Sequence, residues 1–374
     1  MKNTTKDLIA FGVTLGVFAV GSFLFVAIPD PYVRFHMPSD TFAYRMEHEN
    51  TRLFAPGFAK YADYQAVLLG ASHSMNFDPM QIDEVFGTTT WKLPLQGGSL
   101  HENRLLLDIA YKNQKQIDYV FCNIELERQY NSVTWDYISP FNMPYAYDFD
   151  FFSQVAYVYD RDMIRDRVIP MWKGLLSGEA GYVPSKSEFG YSQQSFTMGP
   201  TEVLKGFSGA DREVISTFDN ALTESEEANV RDIIRRNYSE LIEAHPETQF
   251  YFFIPPYSMP WWGNAIIDGD VNYLHQVERV YIEELSCYDN VKCFDFNDCY
   301  EIMADLNNYG DITHFGEWVN DTIIEDMYRG KHEITLENCD AIMADESEHF
   351  KNFDYDSLYE QEDLPDPIPR YNGQ

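Results

Sequence analysis

Two spacings of apolar residues alternate along this chain. Short apolar runs recur at Ala66–Leu69, Thr89–Leu93, Ile117–Ile124, Gln249–Ile254 and Val291–Phe296. Between them lie stretches whose apolar residues fall three and four apart, the spacing of one helical face. The stretch His101–Asn113 is the clearest, with Leu105, Leu106, Ile109 and Ala110 on one side. A second such stretch follows Thr223-Glu224-Ser225-Glu226, a capping-box sequence, and aligns Val230, Ile233, Ile234, Leu241 and Ile242. Shorter helices are predicted at Pro79–Phe86, Tyr273–Leu285 and Phe315–Tyr328. Apolar strands separated by helices predict an α/β fold, a doubly wound parallel five-stranded sheet with helices on both faces.

Three regions depart from the alternation. Leu8 to Ile28 is almost wholly apolar and uncharged, preceded by Lys2 and Lys6 and followed by Pro29-Asp30. About twenty such residues can cross a bilayer, and the lysines favour an inside N-terminus. Residues 1–28 are therefore expected to be a membrane anchor, with a cleaved signal peptide as the other reading, and the globular part lies outside the cytoplasm either way. Residues 29–64 form an aromatic and Pro-containing approach segment without a clear period. Residues 127–222, rich in Tyr, Phe, Trp and Gly, are too long for a plain βα connection and predict an insertion with one helix near Phe152–Trp172. Its Tyr145, Tyr147, Phe149, Phe151, Phe152, Tyr157 and Tyr159 suit either a platform for sugar rings or, for most of them, core packing. The α/β domain proper is expected over 65–336. Residues 337–374 read as an acidic surface-packed or partly disordered extension, with Pro365, Pro367 and Pro369 near its end.

Charge and cysteine content narrow the function classes. The 27 basic and 60 acidic residues give a formal net charge of -33, which repels nucleic acid and anionic surfaces. The five cysteines, Cys122, Cys287, Cys293, Cys299 and Cys339, include no C-x-x-C, so zinc is not indicated. One pair among Cys287, Cys293 and Cys299 is close enough in sequence to bridge. No metal or cofactor is expected.

The candidate chemistry sits at the two ends of the α/β pattern. Gly70-Ala71-Ser72-His73-Ser74 follows the first strand and puts a serine hydroxyl at the carboxyl edge of the sheet. Asp311-Ile312-Thr313-His314 supplies a carboxylate and an imidazole just before the last helix. A serine attacks an ester only when a base removes its proton, and that base works best with its tautomer fixed. Each residue also has a structural reading: Ser72 as a helix cap, Asp311 as the N-cap of the last helix, Gly97-Gly98 as an ordinary turn, and Asn123 as a buried strand residue. His73 and His101 have no carboxylate at the needed sequence spacing and are expected at the rim or surface.

With these motifs in this order, the chain resembles the SGNH (GDSL-like) hydrolase superfamily. Ser72 matches the nucleophile block, with Ala71 where the better-known version has Asp; Gly97 or Gly98 matches the second block, and Asp311 to His314, followed by Phe315, the last. The third block departs from the pattern: Phe121-Cys122-Asn123-Ile124-Glu125-Leu126 contains no Gly-x-Asn-Asp, and either Asn123 or Glu125 stands at the donor position. The resemblance implies a Ser72, His314, Asp311 triad and an oxyanion hole from the N–H groups of Ser72 and of Gly97 or Gly98, with Asn123 as a further donor. The anchored layout is similar to a bacterial cell-surface branch that includes proteins of teichoic-acid D-alanylation and exopolysaccharide O-acetylation. That likeness implies an acyl-esterase or O-acyltransferase acting on a cell-envelope glycan or another O-acylated substrate. The alternative it leaves open is a non-catalytic scaffold or partner of a membrane-bound O-acyltransferase.

Overall fold

The computed structural model describes residues 2–46, 51–114, 116–126, 145–189, 197–209 and 219–364. Its centre is a six-stranded sheet, one strand more than the sequence pattern predicts. The strands are β1 (Ala66–Leu69), β2 (Thr90–Lys92), β3 (Tyr119–Asn123), β4 (Gln249–Ile254), β5 (Val291–Asp295) and β6 (Glu333–Ile334), in the order β2-β1-β3-β4-β5-β6. The first five are mutually parallel; β6 pairs antiparallel, Cys293 with Ile334 and Phe294 with Glu333. A two-residue strand shows no period, which is why the sequence did not reveal it.

Period-2 alternation decides what each face of the sheet covers. Tyr119, Phe121 and Tyr251 all meet the ring of Phe86, on the helix Pro79–Phe86. That helix packs against Glu317–Arg329. The intervening residues Cys122 and Phe252 instead contact Tyr238. Tyr238 lies on a long helix that runs from Glu224 to Ala244 through one π-helical turn at Arg235–Ser239. This second layer also holds Leu100–Asn113 and Val271–Leu285. Both faces of the sheet are covered, as an apolar parallel sheet requires.

Several local expectations are corrected. The approach segment contains a helix, Thr51–Tyr61, hidden from pattern reading by its internal Pro56 and by burial on most sides. Where one helix was expected near Phe152–Trp172 there are two: Asp160 accepts a hydrogen bond from Met163 N and starts a second helix after Phe151–Val158, continuing to Ser177. The extension beyond residue 337 forms the helix Cys339–Asn352, which buries Glu346 and Phe350; Pro365, Pro367 and Pro369 lie outside the described residues. All five cysteines are free thiols.

The N-terminal helix Lys2–Ala27 contains the one span, among the described residues, long and apolar enough to cross a membrane. Its final turns touch the insertion. Trp172 Nε1 donates to Phe25 O (2.8 Å), and Ser22 Oγ meets the Tyr159 hydroxyl at 3.0 Å. Of the aromatic cluster, Tyr145 and Tyr157 are core residues, whereas Phe151, Phe152 and Tyr159 are exposed beside this helix end.

Candidate active site

The strand order reverses between β1 and β3, because β1 connects outward to β2 while β3 begins the other half of the sheet. Open α/β sheets place ligands at the carboxyl ends of the strands flanking such a reversal. Ser72 lies there, one turn past β1 in a short 3₁₀ segment, Ser72–Ser74. Gly70 makes that turn possible. Its φ of +132° disfavours any L side chain, and a Cβ would collide with the Asn123 amide and Ser74 Oγ. Asn123 Oδ1 accepts from Ala71 N (3.0 Å), and Ser74 Oγ lies within hydrogen-bond distance of Asn123 Oδ1 (2.7 Å) and Leu69 O (2.9 Å). The end of β3 thus clamps the serine turn.

The far motif arrives on the loop from Tyr309 to Phe315, closed on itself by Gly310 N–H donating to His314 O (2.9 Å). Ser258 Oγ donates to Ile312 O (2.7 Å) and Tyr309 Oη to Pro256 O (2.8 Å), tying the loop to the segment after β4. Asp311 does not cap the last helix, whose N-cap is Gly316. Instead, Asp311 Oδ1 accepts from Thr313 N (2.8 Å) and His314 N (2.7 Å). Its other oxygen faces His314 Nδ1 at 2.7 Å, and His314 Nε2 faces Ser72 Oγ at 2.8 Å. Residues 242 apart in sequence therefore form one continuous hydrogen-bonded line. Burial alone would raise the Asp311 carboxyl. The His314 ring and the two loop N–H groups outweigh it and hold the carboxyl well below its usual range. With the carboxylate on Nδ1, the ring carries its proton there and presents a lone pair to the serine hydroxyl.

The glycine turn lies beside the serine turn. Leu95 N donates to Gly70 O (2.9 Å), and Gly98 N donates to Leu95 O (2.8 Å), closing a turn over Gln96-Gly97 with Gly97 at φ +56°. A Cβ on Gly98 would press on Leu95 Cβ at 2.7 Å. Gly98 is thus a packing residue with its N–H engaged. Among the described residues, no hydrogen-bond acceptor faces the N–H of Ser72 or of Gly97. Arg52 grips the turn from behind, donating to Gln96 O (2.5 Å), Gly97 O (2.9 Å) and the buried Glu102 carboxylate (2.9 Å). Ser99 and Glu102 also form a capping box at the start of Leu100–Asn113. Arg52 was missed in the sequence because its partners lie about fifty residues away.

His73 is the main correction. Expected at the rim, it is buried, with Nδ1 3.0 Å from Glu125 Oε1 and Nε2 3.1 Å from Thr313 O. Its carboxylate comes from the strand end beyond β3, which sequence spacing cannot reveal. Glu125 also accepts from Asn123 Nδ2 (2.5 Å) and Tyr257 Oη (3.2 Å). Burial would raise the Glu125 carboxyl, but His73 and the hydrogen bonds hold it below its ordinary value. Asn123 is thus a strut, with its carbonyl on the serine turn and its amine on Glu125. Two cavities, about 260 and 390 Å³, lie between residues 43–46 and the end of the insertion helices, and neither is lined by Ser72 or His314.

No protein-family model matches the chain, and no curated protein matches it. Among the solved structures that align with it distantly are two bacterial proteins. One is a protein from Streptococcus pneumonia provisionally described as a platelet activating factor: 13% identity, 76% of this chain, 91% of that chain, TM-score 0.37. The other is an acetyl xylan esterase from the rumen bacterium Butyrivibrio proteoclasticus: 8% identity, 72% of this chain, 63% of that chain, TM-score 0.32. Likeness at this level decides neither fold nor activity, so the functional reading rests on the geometry around Ser72.

Proposed function

We propose that the protein is an SGNH-like serine acyl-esterase or O-acyltransferase, held at the outer face of a membrane by its N-terminal helix and acting on O-acyl groups of a cell-envelope polysaccharide. The observation that carries this reading is the line from Asp311 through His314 to Ser72. Ser72 Oγ attacks the ester carbonyl carbon as His314 Nε2 takes the hydroxyl proton, and Asp311 stabilises the resulting imidazolium. The carbonyl oxygen becomes an oxyanion, and the donors suited to it are the Ser72 and Gly97 N–H groups. Collapse expels the leaving alkoxide, which receives the proton from His314. The acyl-serine is then attacked by water, or by a sugar or polyol hydroxyl, whose proton passes to His314; the second intermediate collapses by breaking the bond to Ser72 Oγ, which takes that proton back from His314. Water gives hydrolysis and a hydroxyl acceptor gives transfer, with the same residues in the same roles.

One observation favours a second reading, a non-catalytic scaffold beside a membrane-bound O-acyltransferase. The Asn123 side chain is engaged on both sides, so the oxyanion donors fall to the backbone alone. Covalent labelling of the detergent-solubilised full chain with a fluorophosphonate separates the two. Labelling abolished by both Ser72→Ala and His314→Ala supports the enzyme. A folded protein that takes up no probe and hydrolyses no p-nitrophenyl acetate belongs to the scaffold reading.

A further inference from the structure

Away from Ser72, four ionisable side chains converge in the interior with an incomplete set of partners. His275 and Glu278 project from one face of the helix Val271–Leu285, three residues apart. Glu346 reaches them from Cys339–Asn352, and Asp295 stands at the end of β5 against both glutamates. Glu278 and Glu346 are fully buried, Asp295 is 1% exposed and His275 6%. Among the described residues, Glu278 and Glu346 each meet Asp295 carboxyl to carboxyl, and no other group donates a hydrogen bond to either glutamate. Buried carboxylates require protons or a cation.

The imidazole distinguishes these cases. His275 Nε2 lies 3.1 Å from Glu346 Oε2, yet the two are not aligned as a hydrogen bond. A shared proton lies near the line joining its two atoms. Two atoms of one coordination sphere, by contrast, stand about this far apart and both point at a third position. Ligand atoms of His275, Glu278 and Glu346 lie within 4.8 Å of one another, a spacing that small side-chain adjustments close around one ion. The opposite ring nitrogen, Nδ1, meets Ser347 Oγ at 3.1 Å, the kind of outer partner that fixes a ligating histidine's tautomer. Asp295 is oriented in the same way, its Oδ1 accepting from Asn297 N and Nδ2 (both 2.9 Å).

We propose that His275, Glu278 and Glu346, with Asp295 beside the two glutamates, bind one structural divalent transition-metal ion, Zn²⁺ or Mn²⁺, fastening the C-terminal helix to β5. The nitrogen ligand favours these ions over Ca²⁺ and Mg²⁺, which take all-oxygen sites. Ligands drawn from a sealed interior leave no approach for substrate, the mark of a structural site. This revises the expectation that the chain needs no metal, an expectation based on cysteine spacing alone. It is independent of the Ser72 chemistry. It is also distinct from Asp298, Cys299 and His332, a half-buried group that could hold an ion of its own.

The test is elemental analysis of the full chain purified without chelators, paired with thermal melting after removal of metal by dipicolinate and after return of Zn²⁺, Mn²⁺, Ca²⁺ or Mg²⁺. The expected result is about one equivalent of bound transition metal. Removal should lower the melting temperature by about 5 °C or more, and only Zn²⁺ or Mn²⁺ should restore it. Glu346→Gln and His275→Gln should each lose the ion, whereas Cys299→Ser should keep it. If those variants fail to fold, removal and return of metal on the parent chain still decides the matter. Less than a tenth of an equivalent together with no melting shift on adding any of the four ions would overturn the proposal and leave protons shared among the carboxyls. Stabilisation by Ca²⁺ or Mg²⁺ alone would overturn it as well, and so would metal lost only in Cys299→Ser.

Discussion

Two histidine–carboxylate pairs stand face to face at the edge of the sheet, with the rings of His73 and His314 stacked at 5.1 Å and an interplanar angle of 17°. In each, Nδ1 meets a carboxylate: Glu125 at 3.0 Å for His73, Asp311 at 2.7 Å for His314. They differ at Nε2. His73 faces the Thr313 carbonyl, which can only accept, so Nε2 is taken up by that contact and the ring acts as a fixed tie between Glu125 and the Thr313 loop. His314 faces the Ser72 hydroxyl, which can donate, so its Nε2 lone pair is available to take a proton. Exposure follows the same division, 3% for the His73 side chain and 26% for His314. The same two functional groups are structural in one place and chemically usable in the other, according to what the second nitrogen meets.

Breaking the exposed pair has the largest expected effect on activity. Ser72→Ala and His314→Ala should each lower fluorophosphonate labelling by at least about 10³-fold. Both residues are only half-buried, so melting should change by about 1 kcal/mol or less, most for His314→Ala, whose ring stacks on His73 and holds Asp311. Asp311→Asn should cost about 10²- to 10⁴-fold in labelling rate, because an amide no longer fixes the Nδ1–H tautomer. A labelling rate within threefold of the parent would remove Asp311 from the proposed triad.

Breaking the buried pair should act mainly on stability. Glu125→Gln removes the carboxylate from the buried His73 pair, and loss of one partner of a buried pair costs about 3 kcal/mol, read as a shift of the denaturation midpoint. Its labelling per folded molecule should fall less than that of Asp311→Asn; the reverse order would mean that Glu125, not Asp311, orients the catalytic base. The acid limb of stability sharpens the contrast. Glu125 is held below its ordinary value in the folded chain. Its contribution is therefore fully present above the unfolded value of about 4.3 and is lost as pH falls through the lower folded value. Glu125→Gln should flatten that limb relative to the parent in melts between about pH 5 and 3. The smallest effect is expected from Ser74→Ala, which removes one hydrogen bond from the serine turn. A cost of about 1 kcal/mol in stability, with a several-fold drop in labelling, would mark the clamp as a positioning device.

The legibility of this molecule divides along similar lines. The βα alternation was readable because each strand and each amphipathic helix reports its own burial through local spacing. The Ser72 and Asp311–His314 motifs were readable because each lies within a few residues of a predicted strand or helix end. Thr51–Tyr61 was not, since a helix buried on most sides and interrupted by Pro56 shows no polar face. Strand β6 has only two residues, and the acidic run that contains Glu346 looks like a solvated surface until Phe350 is seen to be buried.

The sequence by itself determined the five parallel strands and the amphipathic helices between them, the apolar N-terminal span and the identity of the nucleophile and base candidates, because these depend on residues near one another in the chain. The tertiary structure alone decided which histidine meets the serine, which glycine N–H has no acceptor among the described residues, and that Glu278, Asp295 and Glu346 converge with His275 in the interior. Those outcomes depend on which acceptor or donor stands about 3 Å from a given atom, and that neighbour comes from a distant part of the chain.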